Sequence, residues 1–213
     1  MITGSLPRLK LLAVTKGKSC EEIEEILRLY PAICRIGENR IEEAKEKFDE
    51  LKMNLGADFD RLEKHFIGKL QSRKIRQVAE LFDVVQSVEN FSQAKKLSEA
   101  ANALGKTLGI FIEVNLSGLP QRSGAVPAEV PALIEQVQTL PGLELLGVMG
   151  MASLNPEQAR TEFKRLKSLQ GSLPECSMGM SSDYGIAIEE GSTMLRLGSV
   201  LFEVGLPESV VFE

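Results

Sequence analysis

One lysine, one arginine and a set of serines and glycines near the ends of apolar runs are the residues of this sequence best placed to do chemistry. Lys16 lies in Ala13-Val-Thr-Lys-Gly-Lys18, at the end of the first apolar run. A lysine that leaves an apolar strand loses part of its hydration. That lowers the pKa of its ammonium group and frees the amine as a nucleophile toward an aldehyde. Lys18 stands further out, so Lys16 is the better candidate; a structural lysine that only reaches for water fits the same residues. Arg196 lies in Gly191-Ser-Thr-Met-Leu-Arg-Leu-Gly-Ser199. The Gly198-Ser199 turn behind it offers bare backbone N–H groups and a hydroxyl, which suit a phosphate. Ser177-Met-Gly-Met-Ser-Ser-Asp183 adds Ser181 and more small residues. Singly each stretch reads as a turn, but a clamp across two neighbouring loops is more specific than either. Glu38 and Asn39 end another run and are expected to face the same mouth.

Other chemistries find little support. His65 is the single histidine, which argues against triads and histidine-rich metal sites. Gly-x-Gly-x-x-Gly and Walker patterns are absent. Cys20, Cys34 and Cys176 are widely spaced, and reduced buried thiols are expected. With a net charge of -5, nothing points to a nucleic-acid or membrane-surface partner. The start, MITGSLPRLK, has no apolar core of a signal peptide, so the cytosol is the expected compartment. Arg61, Lys64, Lys69, Arg73, Lys74 and Arg76 form the most basic stretch and read as the solvated face of a third helix and its lead-in, with a polyanion or partner patch as the lesser reading.

The elements that must position these residues alternate regularly. Apolar runs at 9–14, 32–37, 65–68, 83–88, 108–115, 143–149, 175–178 and 193–197 read as strands. Helical spacing follows each of the first seven, as in Ile23, Ile26, Leu27 and Tyr30, or Ile41, Ala44, Phe48 and Leu51. Ser19 with Glu22 predicts a capping box, and Asn155-Pro156 a helix start. Eight strand-then-helix units of about 25 residues predict a single (β/α)8 TIM-type barrel over residues 1–213, with chemistry at the C-terminal strand ends. A doubly wound open sheet fits the alternation too; the count of eight favours the barrel.

Taken together, the motifs resemble a known family. LLAVTKGK, IGENRIEEAKEK, HFIGKLQSRK, FIEVNLSGLPQRSG, LELLGVMGM, SMGMSSDYGIAIEEGSTMLRLGS and the following Phe202, in this order, are similar to pyridoxal phosphate homeostasis proteins of the YggS/PROSC type. That family is related to the barrel domain of alanine racemase and to fold-type III decarboxylases. The resemblance implies pyridoxal 5'-phosphate (PLP) as a Schiff base on Lys16 and Arg196 at the pyridine nitrogen. It implies Ser181, Gly198 and Ser199 on the phosphate and Asn39 beside the cofactor, with His65 as support from behind. This sequence departs from the family in three places. The family usually has an extra helix before strand one, Lys69 and Arg73 replace a usual His and Asn, and the ending LFEVGLPESVVFE is unusual.

Two functions use such a site. A non-catalytic carrier or regulator of PLP, serving vitamin B6 and amino-acid homeostasis, needs only the lysine and the clamp. PLP-dependent apoenzymes are its conceivable partners. The alternative is a racemase or decarboxylase, and an enzyme of the racemase kind has a second acid or base opposite the lysine. Neither Tyr30 nor Tyr184 lies at an expected strand end, and no second domain is foreseen to supply one or to build a racemase-type dimer. A cationic Arg196 at the ring nitrogen also weakens the ring as an electron sink. The expectation is a monomeric carrier without turnover; an interaction module with incidental PLP is a third class that can coexist with it.

Overall fold

The apolar runs become strands and the amphipathic stretches become helices. The computed structural model describes residues 9–206 and Phe212. In chain order the elements are β1 (Lys10–Val14), α1 (Cys20–Leu29), β2 (Arg35–Glu38), α2 (Ile41–Leu55), β3 (Glu63–Phe66), α3 (Ile75–Leu81), β4 (Val84–Val88) and α4 (Phe91–Ala103). They continue as β5 (Leu108–Val114), α5 (Val130–Val137), β6 (Leu143–Gly150), α6 (Pro156–Gln170), β7 (Glu175–Ser177), α7 (Tyr184–Glu189) and β8 (Met194–Leu197). A π-helical turn, Val200–Val204, follows β8. Every strand pairs in parallel with the next, and β8 pairs with β1, so the sheet closes into a barrel rather than an open doubly wound sheet. The departures expected at the two chain ends lie at or beyond the edge of the described residues.

Local signals place the helices. Ser19 and Glu22 form the reciprocal capping box on α1. Asn155 caps α6 with Pro156 in its first turn. In a strand, alternate residues face opposite sides. One set, including Leu11, Ala13, Ile36, Ile110 and Leu195, packs under the helices. The other fills the barrel with Leu12, Val84, Phe111, Met149 and Met194. The N-terminal end of the interior is charged: Lys10 pairs with Glu175 at 2.5 Å and Arg35 with Glu63 at 3.3 Å.

Those inward charges displace two strand boundaries. β2 starts at Arg35 rather than Ala32, and β3 starts at Glu63 rather than His65. An apolar run cannot reveal a strand whose inner face carries an ion pair. The basic stretch also reads differently. Lys64 lies in β3 against Asp83 at 3.0 Å, Lys69 sits on the loop after β3, and Arg76 on α3 pairs with Glu80. It is therefore no single helix face. Cys20 and Cys176 are buried free thiols, as expected, but Cys34 is only half-buried.

Candidate functional site

The C-terminal mouth of the barrel is reached first by β1. Lys10, Leu12 and Val14 belong to the inward set, and Lys16 continues that phase beyond the strand. Gly17, at a φ of 70°, then turns the chain into the α1 cap in a conformation that favours glycine. The two lysines of the loop have different fates. Lys18 Nζ is engaged by Glu22 at 3.0 Å and lies 5.0 Å from the centroid of the Phe202 ring. Lys16 is exposed and has no ion-pair partner among the described residues.

A buried cluster holds the base of this loop. Thr15 donates its hydroxyl to Glu38 Oε1 at 2.7 Å. Lys47 of α2 donates to the same oxygen at 2.5 Å and to the Thr15 carbonyl at 2.7 Å. Glu38 is thus turned outward into the helix layer and does not face the mouth, which corrects the sequence reading. The next residue, Asn39, has the opposite phase and is half-buried at the end of β2, and its backbone is crowded by the loop after β3. A methyl group at Gly68 would come to 2.1 Å from the Asn39 carbonyl oxygen, so only glycine fits there.

On the far side of β1, the loops after β7 and β8 meet as foreseen. Ser181 Oγ accepts from the Val200 N–H at 3.2 Å, which ties the Ser181 loop to the Gly198-Ser199 turn. At Gly198 the nearest atom to an added Cβ is 3.6 Å away, so this turn is open and unstrained. Arg196 is buried. It donates to the Ser177 carbonyl at 2.7 Å, to Ser177 Oγ at 2.8 Å and to the Gly150 carbonyl at 2.9 Å. A guanidinium has five N–H donors; three are engaged, leaving two. Burial draws its pKa down to about 10, so it remains cationic at neutral pH.

Behind Arg196 runs a polar chain that the sequence did not reveal. Ser177 donates to Gln86 Oε1 at 2.8 Å, Gln86 Nε2 meets His65 Nδ1 at 2.9 Å, and His65 Nε2 meets Glu63 at 2.6 Å. Every partner is fixed if His65 is neutral with its proton on Nε2. His65 therefore lies in the barrel interior and reaches the mouth only through Gln86, Ser177 and Arg196. The chain spans strands β3, β4, β7 and β8.

One further group was missed. β5 stands opposite β1 in the ring of eight strands. Glu113, near its end, is buried at 4% exposure. Burial, with Glu89 close by, pushes its carboxyl up to about 7, against the pull of Arg196 and Lys69. Glu113 is thus a titratable group on the strand across the barrel from β1 that the sequence reading did not single out. Glu113 sits inside the apolar run Phe111-Ile-Glu-Val114, where the inward phase was the only available signal.

Residues 2–205 match the family model described as alanine racemase, N-terminal domain, which sets the class of this barrel. Within that class the chain belongs to the pyridoxal phosphate homeostasis protein family. It is 40% identical over 209 residues to the pyridoxal phosphate homeostasis protein of Pseudomonas aeruginosa, covering 93% of this chain and 87% of that one. The solved structure of PipY from Synechococcus elongatus PCC7942 with PLP bound has a TM-score of 0.81 and 32% identity, over 92% of this chain and 93% of that one. An alanine racemase from Clostridium difficile 630 shares the fold at a TM-score of 0.66 and 16% identity, over 96% of this chain and 55% of that one.

Proposed function

We propose that this chain is one barrel domain that holds pyridoxal 5'-phosphate on Lys16 and takes part in keeping the cell's vitamin B6 pool, without turnover of its own. The observation that carries the reading is the joined pair of loops after β7 and β8, set beside a strand-one lysine with no ion-pair partner among the described residues. The donor set fits the group. Ser181, Gly198 and Ser199 would take the phosphate, since the Gly198 turn has room and the two loops are already tied. Arg196 has two donors left for the ring nitrogen, and Asn39 would lie beside the ring. Bound there, the cofactor supplies an electrophilic aldehyde carbon and an aromatic ring that can spread negative charge.

The protein's own residues favour holding over turnover. Arg196 stays cationic and is fixed by three hydrogen bonds, so it can donate to a ring nitrogen but opposes its protonation. Thr15, Glu38 and Lys47 fix the base of the Lys16 loop rather than leave it free to swing. The relatives at 40% identity and below carry the homeostasis name, in agreement with this reading. Glu113 is the one observation that favours an amino-acid racemase or decarboxylase instead. The test is to incubate PLP-loaded protein with L-alanine and other amino acids in deuterated buffer. No inversion, decarboxylation or α-deuteration beyond one equivalent is expected; multiple turnovers lost in Lys16→Ala would make this an enzyme. No helix among the described residues is long and apolar enough to cross a membrane. A monomer in the cytosol is the setting this proposal assumes.

A further inference from the structure

We propose that the cavity between the loops after β5 and β6 is a binding subsite for a small primary amine, with the Glu113 carboxylate receiving its ammonium group. The cavity has a volume of about 240 Å³ and is lined by Glu113, Arg122, Met151 and Ser153 among others. None of Lys16, Asn39, Ser181, Arg196, Gly198 or Ser199 lines it. Its lining is therefore distinct from the contacts assigned to the cofactor, although Arg196 lies near enough to act on Glu113 through its charge.

Its polar groups divide into engaged and unengaged. Asn115 donates to the Leu119 and Arg122 carbonyls, and its oxygen accepts from Ser117 and the Gly118 N–H. Gln158 donates to Glu162. The Glu113 carboxylate, by contrast, makes no hydrogen bond among the described residues although the residue is only 4% exposed; its backbone carbonyl accepts from the Ala125 N–H at 2.7 Å. Ser153 Oγ is buried and unpartnered too. A buried carboxylate without a donor is costly, and so are buried hydroxyls left unpaired. An ammonium group brings three donors and no acceptor, which matches two acceptors that line the same cavity. Leu116, Leu119, Met151 and Ala152 supply apolar wall for a short aliphatic body. The cavity is below the size of drug-binding pockets, so only a small molecule fits.

The charges around Glu113 are Glu89 at the end of β4, Lys69 on the loop after β3 and Arg196 on β8. Arg122 belongs to the cavity rim. Lys69 and Arg196 offset the two carboxylates, so the attraction is local, to the unpartnered Glu113 oxygens. A simple amine and an α-amino acid share the ammonium chemistry; Arg122 would favour the second by meeting its carboxylate. Because Glu113 titrates at about 7, amine binding should strengthen as the pH rises from 6 to 8.

The inference does not depend on the Lys16 proposal, and the experiment keeps the two apart by using the full chain as Lys16→Ala without cofactor. Calorimetric titrations with n-butylamine, n-butanol and norvaline are run at pH 6 and 8. Butylamine is expected to bind and butanol not, with affinity higher at pH 8. Glu113→Gln should weaken butylamine about tenfold or more and flatten the pH dependence, and Ser153→Ala should weaken it about threefold. Norvaline binding tighter than butylamine, with the gain lost in Arg122→Ala, identifies amino acids as the ligand; equal or weaker norvaline binding identifies simple amines. Absence of butylamine binding, equal binding of butanol, or unchanged affinity in a folded Glu113→Gln overturns the proposal. Should Glu113→Gln fail to fold, unchanged affinity in Ser153→Ala overturns it instead.

Discussion

Lys16 and Lys18 sit on one loop, two positions apart, and only Lys18 is held by an ion pair. The difference follows from where the capping box starts, since Glu22 serves both the Ser19 N–H and the Lys18 ammonium. What keeps Lys16 presented is the cluster below it. Replacing Glu38 with alanine leaves the half-free Lys47 ammonium against a buried carbonyl. A broken buried pair of this kind costs about 3–5 kcal/mol, and urea unfolding of Glu38→Ala should show a loss of that order. Glu113 acts in the opposite sense. Its folded pKa, about 7, lies above the ordinary glutamate value of 4.5. The protonated form is therefore favoured by folding. Its contribution is complete below about pH 4.5 and is lost as the pH rises through 7, a change of about 3 kcal/mol. Glu113→Gln should remove that slope and be more stable than the parent at pH 8, but not at pH 4; urea midpoints at both values decide it. Lys16 and Arg196 were legible because they interrupt or end apolar runs. The direction of Glu38 was not, because it depends on a one-residue phase that the end of a run leaves open.

Elements position these residues through a few close contacts. Gly68 lets the loop after β3 lie against the backbone of Asn39. Gly68→Ala should push Asn39 aside, and PLP should be retained less well while the far-ultraviolet circular dichroism stays that of the barrel. An unchanged affinity would remove Asn39 from the site. At the phosphate cradle the logic is reversed. Gly198 has space, so Gly198→Val should fold normally and lose affinity by roughly ten- to hundredfold, one charge-assisted hydrogen bond or its equivalent. Helix starts were the most legible features of the elements, since Ser19 and Asn155 each accept the expected backbone N–H. Strand starts at Arg35 and Glu63 were not, since the ion pairs inside the barrel give no apolar signal.

At the scale of the molecule, eight repeated units were readable from hydrophobic periodicity, and their number favoured a barrel over an open sheet, but closure itself was not readable until β8 was seen to pair with β1. The polar chain from Arg196 to Glu63 was not readable, because its members lie on four strands separated by up to 133 positions in sequence and meet only once the barrel closes. For the proposed carrier, light scattering at low protein concentration is expected to give the mass of a single chain; a stable dimer would revive the enzyme reading. The most direct measurement is the visible absorption of the purified, PLP-loaded protein before and after borohydride, followed by mass mapping of the labelled peptide. The account predicts a yellow protein whose visible band is bleached by borohydride, with the reduced pyridoxyl group on Lys16 and no band in Lys16→Ala. A label on Lys18 or another lysine, or a band that survives in Lys16→Ala, would contradict it.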